Sequence, residues 1–331
     1  MKKMIARDLI VIGTSAGGVE ALQVVARGLP RDLQAAVLIV IHLSAESPYL
    51  LPEILRKVSP LEIANVSDGV RIESGKVYVA PPDCHLLVKA NTLKLSKGPK
   101  ENRSRPAIDP LFRTAAAAYG PRVIGVILTG MLDDGSAGLS AVKECGGTTV
   151  VQDPADALYP SMPQSALRYV GADYTVLLAG LAPLLTRLVQ EPTNALENVP
   201  RSKLNQIESR FSEMSTIDRH EMDAIGSQAG VSCPECHGPM WKIKDGKLQR
   251  YRCHVGHAYT AQTMAEGQIE AQEAHLWQAL RLMKERISLI GEMRRQAEDD
   301  QRQSDIDGCD GQIRYLERSI AELQGILQCA K

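Results

Sequence analysis

Six short runs rich in Val, Ile and Leu between residues 8 and 178 constrain this chain more than any other feature of it. They are DLIVIG ending at Gly13, AVLIVIH at His42, KVYVAP at Pro81, RVIGVILTG at Gly130, TTVVQ at Gln152 and DYTVLL at Leu178. Each is strand-sized and almost without polar alternation, as strands buried on both faces are. Between them, Gly18 to Arg27, Ser47 to Val58, Asp109 to Tyr119, Gly138 to Glu144 and Ala182 to Val189 are amphipathic and read as helices. This alternation predicts an α/β fold, a doubly wound, mostly parallel sheet with helices on both faces. HLLVKANTLKLS, ending at Ser96, breaks the rhythm and predicts a local hairpin turning near Ala90 and Asn91.

The rhythm stops near residue 190, and residues 191–231 read as a linker. Two short arms follow, Cys233-Pro234-Glu235-Cys236 and Cys253-His254-Val255-Gly256-His257, around a polar segment that turns at Asp245-Gly246. This is the layout of a zinc ribbon, with Cys233, Cys236 and Cys253 as ligands. His257 is preferred over His254 as the fourth, because neighbouring side chains diverge, and His237 is a more distant candidate. So short a segment has no core of its own and needs a staple, here a structural zinc in a closed site without catalytic work. Lys242, Lys244, Lys247, Arg250 and Arg252 make a modest basic patch, but only Trp241 and Tyr251 are interleaved, which argues against a nucleic-acid surface.

Farther on, Leu276, Leu280, Met283, Ile287 and Ile290 form one apolar seam, and Ile313, Leu316, Ile320, Leu323 and Leu327 another. They predict a helical hairpin or coiled-coil tail whose seams pack on each other, on a partner or on a second copy. The expected organisation is therefore residues 1–190 for the α/β layer, 191–231 for the linker, 232–260 for the ribbon and 261–331 for the tail. A fragment ending near Pro200 is expected to fold alone.

Composition removes several classes of function. The 331 residues are 44% hydrophobic and 23% charged, a globular balance. Lys and Arg number 38 against 39 Asp and Glu, so no net charge draws the chain to phosphate backbones or anionic lipid. Arg7 and Asp8 interrupt the first apolar run before it reaches signal-peptide length, and no run approaches the ~20 residues that span a bilayer. The chain reads as cytoplasmic, with no membrane insertion, and in that compartment the close cysteine pair favours metal over a disulfide.

The chemistry begins after the first strand. Gly13-Thr14-Ser15-Ala16-Gly17-Gly18 matches G-x-S-x-G at a strand-to-helix turn, which projects a serine from the carboxyl edge of the sheet. Read as a dinucleotide turn, the same residues place Ser15 where the close-approach glycine belongs, and the turn alone leaves both uses open. His42 ends the second strand, and Asp133 and Asp134 follow RVIGVILTG by way of Met131 and Leu132. One edge thus offers a serine, a histidine and two aspartates. A serine hydroxyl needs a base to take its proton, and the base needs a group to fix its tautomer. The order Ser, His, Asp differs from that of α/β-hydrolases. Cys84 and His85 are adjacent, point to opposite faces and lead into the hairpin. Arg103 and Arg105 are either solvated loop charge or a docking surface for acidic protein.

From about Leu9 to Leu178 the chain resembles the catalytic domain of the chemotaxis-type (CheB-like) protein-glutamate methylesterases. Six ordered blocks carry the resemblance: GTSAGG, the strand ending Ile41-His42, VYVAPPDCHL, RSRPAIDPLF, ILTGMLDDG and YPSMPQSAL. It implies Ser15 as nucleophile, His42 as general base, Asp134 as orienting acid and the Met131 N–H as oxyanion donor, with no cofactor in catalysis. Asp133 stands where the family motif has asparagine. The implied substrates are glutamate γ-methyl esters of methylated chemoreceptors or similar signalling proteins, with glutamine deamidation as a related activity. Typical members carry a receiver domain ahead of the catalytic one. This chain begins at the first catalytic strand, so control is expected from the C-terminal block or from another protein. The competing expectation is a non-hydrolytic signalling scaffold that binds partners through ribbon and tail.

Overall fold

The computed structural model describes residues 4–194 and 202–329. Its centre is a parallel sheet built from β1 (Leu9–Thr14), β2 (Ala36–Ile41), β3 (Glu62–Ile63), β4 (Lys76–Val79), β7 (Val123–Ile127), β8 (Thr148–Gln152) and β9 (Tyr174–Val176). A hairpin of β5 (His85–Lys89) and β6 (Thr92–Ser96) lies outside it, turning at Ala90 and Asn91 as the sequence predicts. The sheet runs β9-β8-β7-β1-β2-β4-β3, so the chain winds outward from β1 in one direction and returns to wind outward in the other. The switch between β1 and β7 is where open α/β sheets place ligands.

Both faces of the central strands are apolar because both are covered. Ile10, Ile12, Val37 and Ile39 pack under α1 (Gly18–Gly28), α2 (Leu51–Arg56) and α6 (Leu178–Gln190). Leu9, Val11, Leu38 and Val40 pack under α3 (Ile108–Tyr119), α4 (Ser136–Glu144) and the hairpin. The sequence did not foresee α5 (Ser161–Tyr169), which buries only Met162, Pro163 and Ala166. None of the described helices is long and apolar enough to cross a membrane.

Where the sequence predicts a linker, residues 195–201 lie outside the described ones and the remainder is structured. Helix α7 (Lys203–Ser212) starts at Ser202, whose hydroxyl accepts the Asn205 N–H at 3.1 Å. Helix α8 (Arg219–Ile225) starts with a capping box between Asp218 and Glu221. They lead into a four-stranded antiparallel ribbon, β10 (Gly226–Ser232), β11 (Pro239–Ile243), β12 (Arg250–Cys253) and β13 (Ala258–Thr260), and share with it a small core of Ile207, Phe211, Met222, Trp241 and Ile243.

The chain divides into two compact units, Met1–Met264 and Ala265–Lys331, so the ribbon belongs with the α/β layer and packing does not break near residue 200. Buried charges join the two. Glu101 and Arg113 of the α/β layer meet Glu208 of α7 and Arg252 of β12, each 1% exposed or less. Arg250 adds a 2.6 Å contact to Glu208. Burial alone would raise both carboxyls, but the guanidiniums hold Glu101 well below the usual range and Glu208 at about 2. Arg250 and Arg252 are therefore buried counter-ions and no part of a surface basic patch.

The second unit contains most of α9 (Ala261–Asp299) and all of α10 (Gln303–Cys329), two helices joined by a three-residue turn. Ile290, Cys309 and Leu316 are buried between them, flanked by Met283, Ile287 and Ile313. This is the predicted hairpin seam, with Cys309 as an added member.

Candidate active site and metal cluster

Register sets the site. Thr14 of β1 pairs with Ile41 of β2, so the next residues, Ser15 and His42, leave neighbouring parallel strands at the same edge. The His42 N–H donates to Thr14 O at 3.3 Å, and the Ser15 N–H reaches the other side of the switch point, donating to Thr129 O at 3.1 Å. Two glycines of the turn have separate reasons. Gly17 has φ 73°, which glycine adopts without strain. A Cβ on Gly13 would lie 2.3 Å from Ile108 Cγ2, so its absence admits the start of α3 to the sheet edge.

That approach matters because Ile108 helps hold the acid. Asp134 is 2% exposed, and five donors converge on it. Its Oδ2 accepts from His42 Nε2 and from the Ile108 N–H, both at 2.7 Å. Its Oδ1 accepts from Asn102 Nδ2 at 2.8 Å, from the Gly135 N–H at 2.9 Å and from the Asp109 N–H at 3.4 Å. Burial would raise this carboxyl, yet the His42 contact and the other donors keep it below the ordinary range. With Nε2 engaged by Asp134, Nδ1 is the ring nitrogen left to accept a proton.

Asp109 lies beside it. Its Oδ2 accepts from the same Asn102 amide at 3.0 Å and its Oδ1 from the Gly138 N–H at 2.6 Å. Burial, and then the charge of Asp134, push its carboxyl well up. Asp133, by contrast, points to the ribbon, where Thr260 Oγ1 donates to its Oδ1 at 2.8 Å. Leu132, with φ 64°, is the left-handed residue before the two aspartates. Met131 is exposed at the rim of that turn. His85 lies in the interior, its Nε2 2.9 Å from Pro99 O and its Nδ1 accepting the Ala107 N–H; burial lowers its pKa and it serves as a neutral spacer. Arg105 is bound to Asp83 and to the Lys97 and Gly98 carbonyls.

The ribbon brings Cys233, Cys236, Cys253 and His257 together, with ligand atoms all within 4.8 Å of one another. Cys236 and Cys253 sulfurs are 3.7 Å apart, and His257 Nδ1 is 3.5 Å from Cys253 Sγ and 3.7 Å from Cys233 Sγ. A tetrahedral ion about 2.3 Å from sulfur and about 2.0 Å from nitrogen would set such donors roughly 3.5–3.8 Å apart, the separation of these three pairs, so the donor set is compatible with zinc. His254 is exposed and outside the cluster, as is His237.

Sequence reasoning missed Asn102, Thr260 and Glu208, none of which stands in a motif with a spacing of its own. The signal for Asn102 was its place just before RSRPAIDPLF, a block otherwise used only for resemblance.

Residues 10–185 match the CheB methylesterase family, more than half of the chain. The chain belongs to that family. A protein of Leptospira interrogans is 44% identical over 184 residues, which cover 55% of this chain and 95% of the relative. The protein-glutamate methylesterase/protein-glutamine glutaminase 2 of Methanosarcina mazei is 35% identical over 197 residues, 57% of this chain and 54% of its own length. The crystal structure of the Thermotoga maritima CheB methylesterase catalytic domain is 34% identical, covers 56% of this chain and all of that domain, and superposes with a TM-score of 0.53. The match spans about half of this CheB-family chain and stops before α7, so ribbon and tail lie beyond it. Family membership favours the hydrolase over the scaffold.

Proposed function

We propose that this protein is a protein-glutamate methylesterase that acts in the cytoplasm on methylated chemoreceptors or similar signalling proteins. The carrying observation is the 2.7 Å contact between His42 and the buried Asp134, on an edge where strand register puts Ser15 beside His42. Ser15 Oγ attacks the γ-carbonyl of a glutamate methyl ester as His42 takes its proton. The tetrahedral oxyanion is met by the Met131 N–H. Collapse expels methanol, protonated by the imidazolium, and leaves an acyl-enzyme. Water, deprotonated by His42, then releases the glutamate carboxylate and the free serine. Asp134 holds the tautomer and balances the imidazolium charge. A glutamine side chain enters the same sequence with ammonia as leaving group. No step needs a cofactor.

Cys233, Cys236, Cys253 and His257 hold a structural zinc that fixes the ribbon, supported by donor type and spacing. The exposed tail, with Trp277, Leu282 and Leu289 turned outward, offers a surface for a partner or a second copy.

The deciding experiment incubates the protein with receptors carrying radiolabelled methyl esters and traps volatile methanol. Release is expected from the parent, and Ser15→Ala should lose at least about 10⁴-fold in turnover. Equal release by both would refute the assignment of the nucleophile.

A further inference from the structure

The last strand of the ribbon ends against the support of the catalytic acid. The Asn102 N–H donates to Ala258 O at 2.8 Å, and Asn102 Oδ1 accepts from the Thr260 N–H at 3.2 Å and from Thr263 Oγ1 at 3.4 Å. Its two amide hydrogens go to Asp134 and Asp109. Every hydrogen-bonding position of this side chain is used, and only one orientation satisfies it. Turning the amide over would set its oxygen against the Asp134 carboxylate and an N–H against the Thr260 N–H. Asn102 is 8% exposed and held at φ 50°, a conformation that asparagine tolerates. On the other side, Thr260 Oγ1 donates to Asp133, the residue before the acid.

We propose that Asn102 is a positioning residue for Asp134 and that Thr260, at the end of the ribbon, holds Asn102 in place, which makes the ribbon a part of the esterase centre. The inference rests on Asp134 being the orienting acid. It goes beyond the triad in assigning a role to Asn102, within the span matched by the family, and to Thr260, outside it. Without the amide, Asp134 loses its side-chain donor on Oδ1 and the amide bridge to the Asp109 carboxyl, while the Asp109 N–H stays on Oδ1. His42 then loses a fixed partner, while the surface that meets substrate is unchanged. The effect therefore falls on kcat and leaves KM alone.

The test follows Ser15 phosphonylation by a fluorophosphonate, which needs no identified receptor, in the full-length protein. Asn102→Ala should lower the maximal labelling rate about 10- to 100-fold, with the half-saturating concentration unchanged. The Thr260 contact to Asn102 is a backbone one, so the side-chain test falls on Thr263, whose hydroxyl reaches both Asn102 Oδ1 and the Thr260 N–H. Thr263→Val should lower the rate about 3- to 10-fold, and Thr263→Ser, which keeps the hydroxyl, should restore it. The double variant Asn102→Ala/Thr263→Val should be no slower than Asn102→Ala alone, since both act along one route. A parent-like rate in Asn102→Ala, multiplying effects in the double variant, or Thr263→Ser as slow as Thr263→Val would each overturn the inference. If Asn102→Ala does not fold, the valine and serine pair at Thr263 decides. A parent that never labels at Ser15 overturns the esterase reading and this inference with it. A parent that labels while its folded variants match it overturns the inference alone.

Discussion

Asp134 and the ribbon cluster are both convergences of polar groups, but they are opposites in sign. Around Asp134, three backbone N–H groups, an amide and an imidazole all donate to one carboxylate, so the protein already supplies what that charge requires. In the ribbon, three sulfurs and an imidazole nitrogen converge on one another, and as metal ligands the thiols must lose their protons. A cation between them completes that set. The first site is finished by folding, the second would be finished by the proposed ion, and Asn102 stands between them.

The largest effect should come from corrupting the finished site. Asp134→Asn presents an N–H where His42 needs an acceptor, and turnover should fall about 10⁴-fold. Asp133→Asn leaves an amide oxygen for Thr260 and should cost less than about threefold. Steady-state kinetics on both variants checks the order, and a reversal would exchange the roles of the aspartates.

Next comes the site that an ion completes. Cys253→Ser, or chelation of the wild-type protein, should remove stoichiometric zinc and release amide protection over residues 226–260. Through Thr260 and Asn102 it should also lower kcat about 10- to 100-fold. Elemental analysis with hydrogen exchange reads the first two outcomes. Zinc retained at full occupancy in Cys253→Ser would remove that cysteine from the ligand set.

The smallest effect is the pH response of the buried charges between ribbon and sheet. Glu208 has a folded-state pKa of about 2 against an ordinary 4.5. A depressed carboxylate pKa gives stability that is complete above the ordinary value and is lost as pH falls through the folded one. Chemical denaturation midpoints should therefore be insensitive to Glu208 above about pH 5 and decline from about pH 4.5 toward 2. Glu208→Gln should flatten that decline; an unchanged acid limb would show that these charges do not set it.

Much of this was legible in the sequence, for physical reasons that also mark where legibility ends. Central strands covered on both faces must be continuous apolar runs, and five such runs were visible; the sixth, β9, is a partly exposed edge strand, and the two-residue edge strand β3 was too short to see. The Cys and His arms announce themselves by local spacing. Helix α7 showed only as weak helical character inside the expected linker, because the face it buries carries Glu208 and Ser212, polar groups made tolerable by arginines at 113, 250 and 252. Reading Arg250 and Arg252 as surface charge failed for the same reason. Asn102 and Thr260 are 158 positions apart, and no periodicity connects residues at that distance.

That separation has a consequence in time. At about 5–20 residues per second, a ribosome needs roughly 8–30 s to travel from Asn102 to Thr260. For most of that interval a nascent chain holds the serine, the histidine and the aspartate, while Glu101 and Arg113 wait for Glu208 and Arg252 and the amide of Asn102 waits for its anchor. On the proposed role of Asn102, the full rate of hydrolysis thus arrives late in synthesis, once residue 260 has left the exit tunnel.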